Sequence, residues 1–341
     1  MTDDRDSDPG SWLSDVECAA DTLPVCDHYA GIEARMTKSF ALQAELGPVF
    51  DVTLDCEDGA PVGGEVDHAH LVAEMAMSAR NRFGRCGVRV HPVDHPAFES
   101  DVATIVGQAA SRLAYVMLPK VDSVADVDKA ASAVDAVSGG RTIPLHALIE
   151  THAALRHVAS LAAHPRIESL SFGLMDFVSA HRGAIPASAM SAPGQFAHPL
   201  VVRAKLEIAA ACHAFGKVPS HSVVTEFADI AVVAAAARRA IKDFGFTRMW
   251  SIHPSQIRPI VAAFAPEQSE VDQAIAIIGA AADAGWAPIR HAGLLQDRAS
   301  YRYWWRILIL ARRTGAVLPA QFERRFFAPA SSPHGVGPGA A

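Results

Sequence analysis

An α/β fold of the (β/α)8 TIM-barrel type, with a C-terminal helical extension, is what this sequence predicts. Three observations lead there. Short runs rich in Val, Ile, Leu and Phe alternate with longer runs of helical period, the pattern of βα units on a parallel sheet. Eight such strand-like runs can be counted, which suits a closed barrel better than an open doubly wound sheet. The chain has 341 residues, half of them hydrophobic, enough for one large core.

In chain order, strands are predicted at residues 25–29, 50–55, 87–91, 115–120, 144–150, 169–173, 218–221 and 249–253. The helices between them are marked by period and by their stops. After strand four, Ser123 and Asp126 make a capping box, Val124, Val127, Val134 and Val137 recur at helical spacing, and Gly139-Gly140 ends the run. Comparable helices are predicted at 66–83, 199–215, 225–244 and 267–284, each followed by glycine. A last helix, 299–313, holds two adjacent tryptophans and an Ile-Leu run, more apolar surface than one buried stripe needs; it packs on the barrel or makes a subunit contact. The domain reading is therefore a tail at 1–22, a catalytic barrel at 23–298, a helical extension at 299–327 and a second tail at 328–341. Both tails are rich in small and polar residues and are expected to be disordered.

Charge and cysteine content exclude several classes. Lys and Arg total 30 against 37 Asp and Glu, a net charge of −7, which argues against a nucleic-acid binder and against an anionic-membrane binder. The longest apolar stretches, 230–237 and 274–282, fall short of the ~18 residues of a membrane span. The acidic start MTDDRDSDPGSW lacks the basic and apolar regions of a secretory leader, so a cytoplasmic location is expected. The five cysteines, Cys18, Cys26, Cys56, Cys86 and Cys212, are odd in number and never spaced CxxC, so no disulfide framework or zinc knuckle is indicated. No GxGxxG follows a strand and no GxxxxGK[ST] occurs, leaving a dinucleotide fold and a P-loop without support.

Barrel active sites lie at the C-terminal ends of the strands, so polar residues there have a positional claim on chemistry. Strand two ends in Asp55-Cys56-Glu57-Asp58-Gly59, strand three contains Arg89 before His91-Pro92, strand five ends in Glu150-Thr151, and strand six leads to Asp176. Magnesium takes one or two carboxylates plus waters and substrate oxygens; Glu150 and Asp176 supply that pair from adjacent strands, or else each caps the following helix or meets a lysine. Arg89 points into the mouth, where it binds a carboxylate through two parallel hydrogen bonds or else pairs with Asp55, Glu57 or Asp58. Lys120 closes strand four and takes an electrostatic or structural role. Ile252-His253-Pro254-Ser255-Gln256-Ile257 reads as a strand entering a helix, with His253 closing the barrel or, as the alternative, touching substrate.

These strand ends, taken in order, resemble the HpcH/HpaI aldolase and citrate lyase β-subunit family, in particular its CoA-thioester branch. The matching pieces are Asp55-Cys56-Glu57-Asp58-Gly59, Val88-Arg89-Val90, Leu118-Pro119-Lys120-Val121, Leu148-Ile149-Glu150-Thr151, Phe172-Gly173-Leu174-Met175-Asp176 and Ile252-His253-Pro254-Ser255-Gln256-Ile257. The resemblance implies a (β/α)8 barrel and a magnesium-dependent carbon–carbon lyase, with manganese as a substitute. Its substrate would be a β-hydroxyacyl-CoA such as citramalyl-, malyl- or citryl-CoA, split to acetyl-CoA and a 2-oxo acid.

Carried over by position, Glu150 and Asp176 match the metal ligands, Arg89 the catalytic and substrate arginine, and Glu57 with Asp58 the surrounding acids. Asp297, in Gly293-Leu294-Leu295-Gln296-Asp297, matches an aspartate that reaches a neighbouring subunit, with helix capping as its alternative role. The resemblance therefore implies a homo-oligomer, a trimer in particular. The usual Arg-Ser and Pro-Gly of the first strand are replaced by Cys26-Asp27-His28-Tyr29-Ala30-Gly31, which leaves Lys38 as the candidate for a CoA phosphate. Two alternatives stand beside this reading: a metal-dependent aldolase of free 4-hydroxy-2-oxo acids giving pyruvate, and a non-catalytic subunit of a larger lyase complex.

Overall fold

The computed structural model describes Leu13 and residues 23–327; apart from Leu13, the tails expected at 1–22 and 328–341 lie outside the described residues. Eight parallel strands close into a barrel: β1 (Cys26–Ala30), β2 (Phe50–Asp55), β3 (Cys86–Arg89), β4 (Tyr115–Leu118), β5 (Leu145–Ile149), β6 (Ile167–Phe172), β7 (Val218–His221) and β8 (Arg248–Ser251). β8 pairs back onto β1 with Cys26 opposite Met249, so no sheet edge is left open. The fold class is as predicted.

Several strands stop earlier than the sequence reading placed them. Pro119 and Pro92 lack the N–H a ladder needs, and β4 and β3 end before them at Leu118 and Arg89. The helix predicted at 66–83 runs only over Glu65–Met77, because Asn81 turns the chain by donating to the carbonyls of Ala76 and Arg112 at 2.9 Å each. The helix predicted at 225–244 begins at Ile230, where the Asp229 side chain accepts the Ala231 N–H at 2.9 Å. The Ser123–Asp126 capping box is present at the head of Val124–Val137. Between β3 and β4, where no helix was expected, a helical turn at Phe98–Asp101 passes into a π-helical segment at Val102–Val106.

The barrel interior is tiered. At the N-terminal ends of the strands lies a charged floor. Arg248, fully buried, donates to Asp51 at 2.7 Å and approaches Asp27 at 3.4 Å. Arg85 donates to Asp51 through two nitrogens at 2.7 and 2.9 Å, and Thr53 and Tyr115 both donate to Asp27, at 2.6 and 3.0 Å. The Tyr115 ring fills the space in front of Gly87, where any Cβ would collide with it. Above the floor an apolar tier of Tyr29, Met117, Leu148, Val223 and Trp250 fills the bore. The third tier, at the mouth, is polar.

The described residues divide into two compact units, one of residues 23–265 and one of residues 266–327 with Leu13. The second unit begins at Pro266. The reason is a separate core: Val271, Ile277 and Ile278 of the Gln268–Asp283 helix pack against Tyr301, Trp305 and Leu308 of the Arg298–Arg313 helix. A short hairpin, β9 (Ile289–His291) and β10 (Leu294–Gln296), and a terminal helix, Ala320–Phe326, complete this unit. Among the described residues no helix is long and apolar enough to cross a membrane.

Candidate active site

The mouth of the barrel is built from turns whose shape the sequence imposes. After β2, the Asp55 carboxylate accepts the N–H groups of Glu57 and Gly59, at 3.0 and 2.8 Å, and so closes the DCEDG turn on itself. Gly59 is required because a Cβ there would strike Asp55 Oδ2, and Gly31 because a Cβ would strike the Gly59 carbonyl. The same Asp55 carboxylate accepts both Nε and Nη2 of Arg89, at 2.7 and 2.6 Å. Arg89 Nη1 reaches Glu57 at 2.9 Å and Asp58 at 3.6 Å. Of the two roles open to Arg89 from sequence, the ion pairs are what this structure contains, although the guanidinium also lines the cavity.

Glu150, at the end of β5, is 3% exposed. It accepts the Lys120 backbone N–H at 2.7 Å, which Lys120 presents by adopting a left-handed conformation, φ 50°. Its carboxylate fills the space that a Cβ at Gly173 would occupy. Asp176 lies in the first turn of the Leu174–Ala180 helix, half-buried. Glu150, Asp176, Asp58 and Arg89 all line one cavity of about 260 Å³. The structure thus brings four of the predicted site residues together, with Glu57 joined to Arg89 and salt-bridged to Lys120.

The electrostatics follow from burial and crowding of like charge. Glu150 is pushed up to about 8, first by burial and then by the charge of Asp176. Asp58 rises to about 6, by burial and then by Glu57. Burial would raise Glu57 as well, but Arg89 and Lys120 outweigh it and hold that carboxyl below its ordinary value. Arg89 is held firmly protonated: burial opposes its charge, and Asp55 and Glu57 overcome it.

The donor set at Glu150 and Asp176 fits a hard divalent cation. Glu150 is buried and Asp176 half-buried, neither has an ion-pair partner among the described residues, and crowding two acids without a counter-charge is costly. Two carboxylates with room for water and substrate oxygens are what magnesium takes. No group of three or more His, Cys, Asp or Glu gathers as a closed metal cage among the described residues.

Other expectations fare differently. Lys38 is exposed on the Glu33–Leu46 helix and is not among the cavity-lining residues, whereas Arg35, one turn earlier, is. Asp297 caps the Arg298–Arg313 helix, accepting the N–H groups of Ala299 and Ser300 at 3.0 and 3.3 Å, so the capping role is realised. His253 caps Pro254–Phe264, in line with a role in barrel closure. Tyr29 and Trp250, stacked with ring centroids 4.6 Å apart, form part of the cavity wall and were missed. The inward phase of β1, in which residues 27 and 29 share a face, is the signal that could have found Tyr29.

The family model for HpcH/HpaI aldolase/citrate lyase matches residues 42–254. The chain belongs to that family. It is similar to an L-malyl-CoA/beta-methylmalyl-CoA lyase of Cereibacter sphaeroides, 32% identical over 277 residues, covering 74% of this chain and 84% of the relative. Its structure is similar to that of a citrate lyase from Burkholderia xenovorans LB400, with TM-score 0.79, 54% identity, and coverage of 91% of this chain and 99% of the other. It is also similar to the protein CitE from Mycobacterium tuberculosis in complex with magnesium and pyruvate, with TM-score 0.59, 25% identity, and coverage of 73% and 93%. This member of the HpcH/HpaI family is a carbon–carbon lyase.

Proposed function

We propose that this lyase is magnesium-dependent and splits, or in reverse forms, a β-hydroxyacyl-CoA such as citramalyl-, malyl- or citryl-CoA, giving acetyl-CoA and a 2-oxo acid. The observation that carries the reading is that Glu150 and Asp176, from adjacent strand ends, share one cavity with Arg89. The relatives named for malyl-CoA cleavage and the magnesium- and pyruvate-bound CitE support it.

The reaction breaks the bond between the carbinol carbon and the carbon next to the thioester. The hydroxyl proton must leave, the carbinol carbon becomes a carbonyl, and the thioester fragment collects a proton on carbon. Glu150 and Asp176 would hold magnesium, which when bound would supply Lewis acidity to substrate oxygens. Arg89, kept charged and oriented by Asp55 and Glu57, places fixed positive charge beside the cavity, where negative charge develops on oxygen. Asp58 and Glu57 hold that arginine and Lys120 in place. Asp297 of a second copy gives the proton to carbon in cleavage and removes it in condensation, which makes the working form a homo-oligomer, a trimer in this reading. Arg35, exposed at the rim, is better placed than Lys38 for a phosphate of the CoA carrier.

Purified protein with magnesium is expected to release acetyl-CoA from citramalyl- or malyl-CoA, and Glu150→Ala and Asp176→Asn each to lower the rate by about 10²-fold or more. No release above the Glu150→Ala control from any of these thioesters would overturn the proposal. Pyruvate from free 4-hydroxy-2-oxo acids, with no competition by CoA, would move the activity to the aldolase branch. Free CoA in place of acetyl-CoA would mark hydrolysis, the reaction named for a (3S)-malyl-CoA thioesterase of Cereibacter sphaeroides that is 28% identical over 240 residues.

A further inference from the structure

Lys205 is an anomaly in this barrel. It is fully buried on the Pro199–Ala214 helix, and no acid pairs with it among the described residues. Its Nζ donates to Gln195 Oε1 at 2.8 Å and lies 3.9 Å from the centre of the Phe196 ring and 5.7 Å from that of Phe244. Burial pulls its ammonium far below the ordinary lysine range, and Arg239 adds to the effect. A buried amine with no acid partner costs stability, so its presence calls for a compensating use.

The geometry supplies one. Gln195 Oε1 receives a second donor, Ser222 Oγ, also at 2.8 Å. With two donors on its oxygen, the Gln195 amide can face only one way, and its Nε2 then donates to the Val223 carbonyl at 3.3 Å. Gln195 and Ser222 are themselves fully buried. From the other side, Gln256 Nε2 donates to the carbonyls of Val224 and Glu226 at 2.7 and 3.2 Å. The segment 222–226, which follows β7, is thus gripped between two amides. Val223 belongs to the apolar tier, and Val223 and Thr225 line the site cavity.

We propose that Lys205 is a positioning residue for the active site: with Ser222 it locks the Gln195 amide, and that amide sets the β7 loop that forms one wall of the substrate cavity. The inference rests on the mouth cavity being where substrate binds. Lys205 touches no substrate and acts only through Gln195.

The test uses the full-length protein and Lys205→Met, which keeps the apolar stem and removes the ammonium. Hydrogen exchange is expected to accelerate by about tenfold over residues 222–226 and to stay unchanged in β3 to β5. The melting temperature should hold or rise, because a buried polar group with no acid partner has gone. With citramalyl- or malyl-CoA, KM is expected to rise about fivefold with kcat changed less than twofold. Gln195→Leu should reproduce the local exchange, and the double variant should be no worse than either single one.

Exchange needs no substrate, so a wild type inactive on every thioester would sink the lyase reading while local acceleration in Lys205→Met still supported the clamp. Unchanged exchange at 222–226, uniform acceleration with a lowered melting temperature, or local acceleration with unchanged KM would each overturn it.

Discussion

Asp58 shows how much a single side chain at the mouth depends on its neighbours. Its carboxyl titrates near 6 in the fold, against an ordinary 3.8, because burial and then Glu57 disfavour its charge more than Arg89 and Lys120 favour it. A folded value above the unfolded one means that the fold binds the proton more tightly. The stability this provides is complete below about pH 4 and is lost as pH rises through about 6. Asp58→Asn is therefore expected to shift the melting temperature upward relative to wild type more at pH 8 than at pH 4, as read by thermal melts. An equal shift at both would contradict the charge assignment. At this scale the sequence was informative where position along a strand decides the outcome: Glu150, Asp176 and Arg89 stand at strand ends and do line the mouth. It did not distinguish Arg35 from Lys38 by their place relative to the cavity. Both are cations on one helix, and a turn advances about 5.4 Å along its axis, so only the earlier residue lines the cavity.

Elements were legible when a local chemical device fixed their ends. The Ser123–Asp126 box was identified from spacing alone, while the loss of two residues from the expected β4 follows from Pro119. The helical stretch after Phe98 escaped because its π-helical segment breaks the 3.6 period, and β9 and β10, at three residues each, are too short for a pattern. Asp297 belongs to this scale, because its visible work is to start a helix. Asn caps about as well as Asp, so Asp297→Asn separates the two roles. Thermal melts are expected to match wild type, and acetyl-CoA release to fall by about 10²-fold or more if the carboxyl moves the proton. Unchanged turnover would leave Asp297 a cap and nothing else.

Over the whole molecule, closure into eight strands was predictable from the repeated βα rhythm, but the division at Pro266 was not. It depends on Val271, Ile277 and Trp305 choosing one another across distant stretches of chain. The floor of the barrel was equally hidden, since Asp27, Asp51, Arg85 and Arg248 are far apart in sequence and meet only on closure. Arg248→Leu is expected to destabilise the fold by about 3–5 kcal/mol in urea melts, because it strips buried Asp27 of its cation and leaves Asp51 to Arg85 alone. A loss below about 1 kcal/mol would show that the network is dispensable. With Arg248 and Tyr115 fully sealed from solvent, the floor is a plug, and the cavity at the mouth lies at the opposite end of the strands.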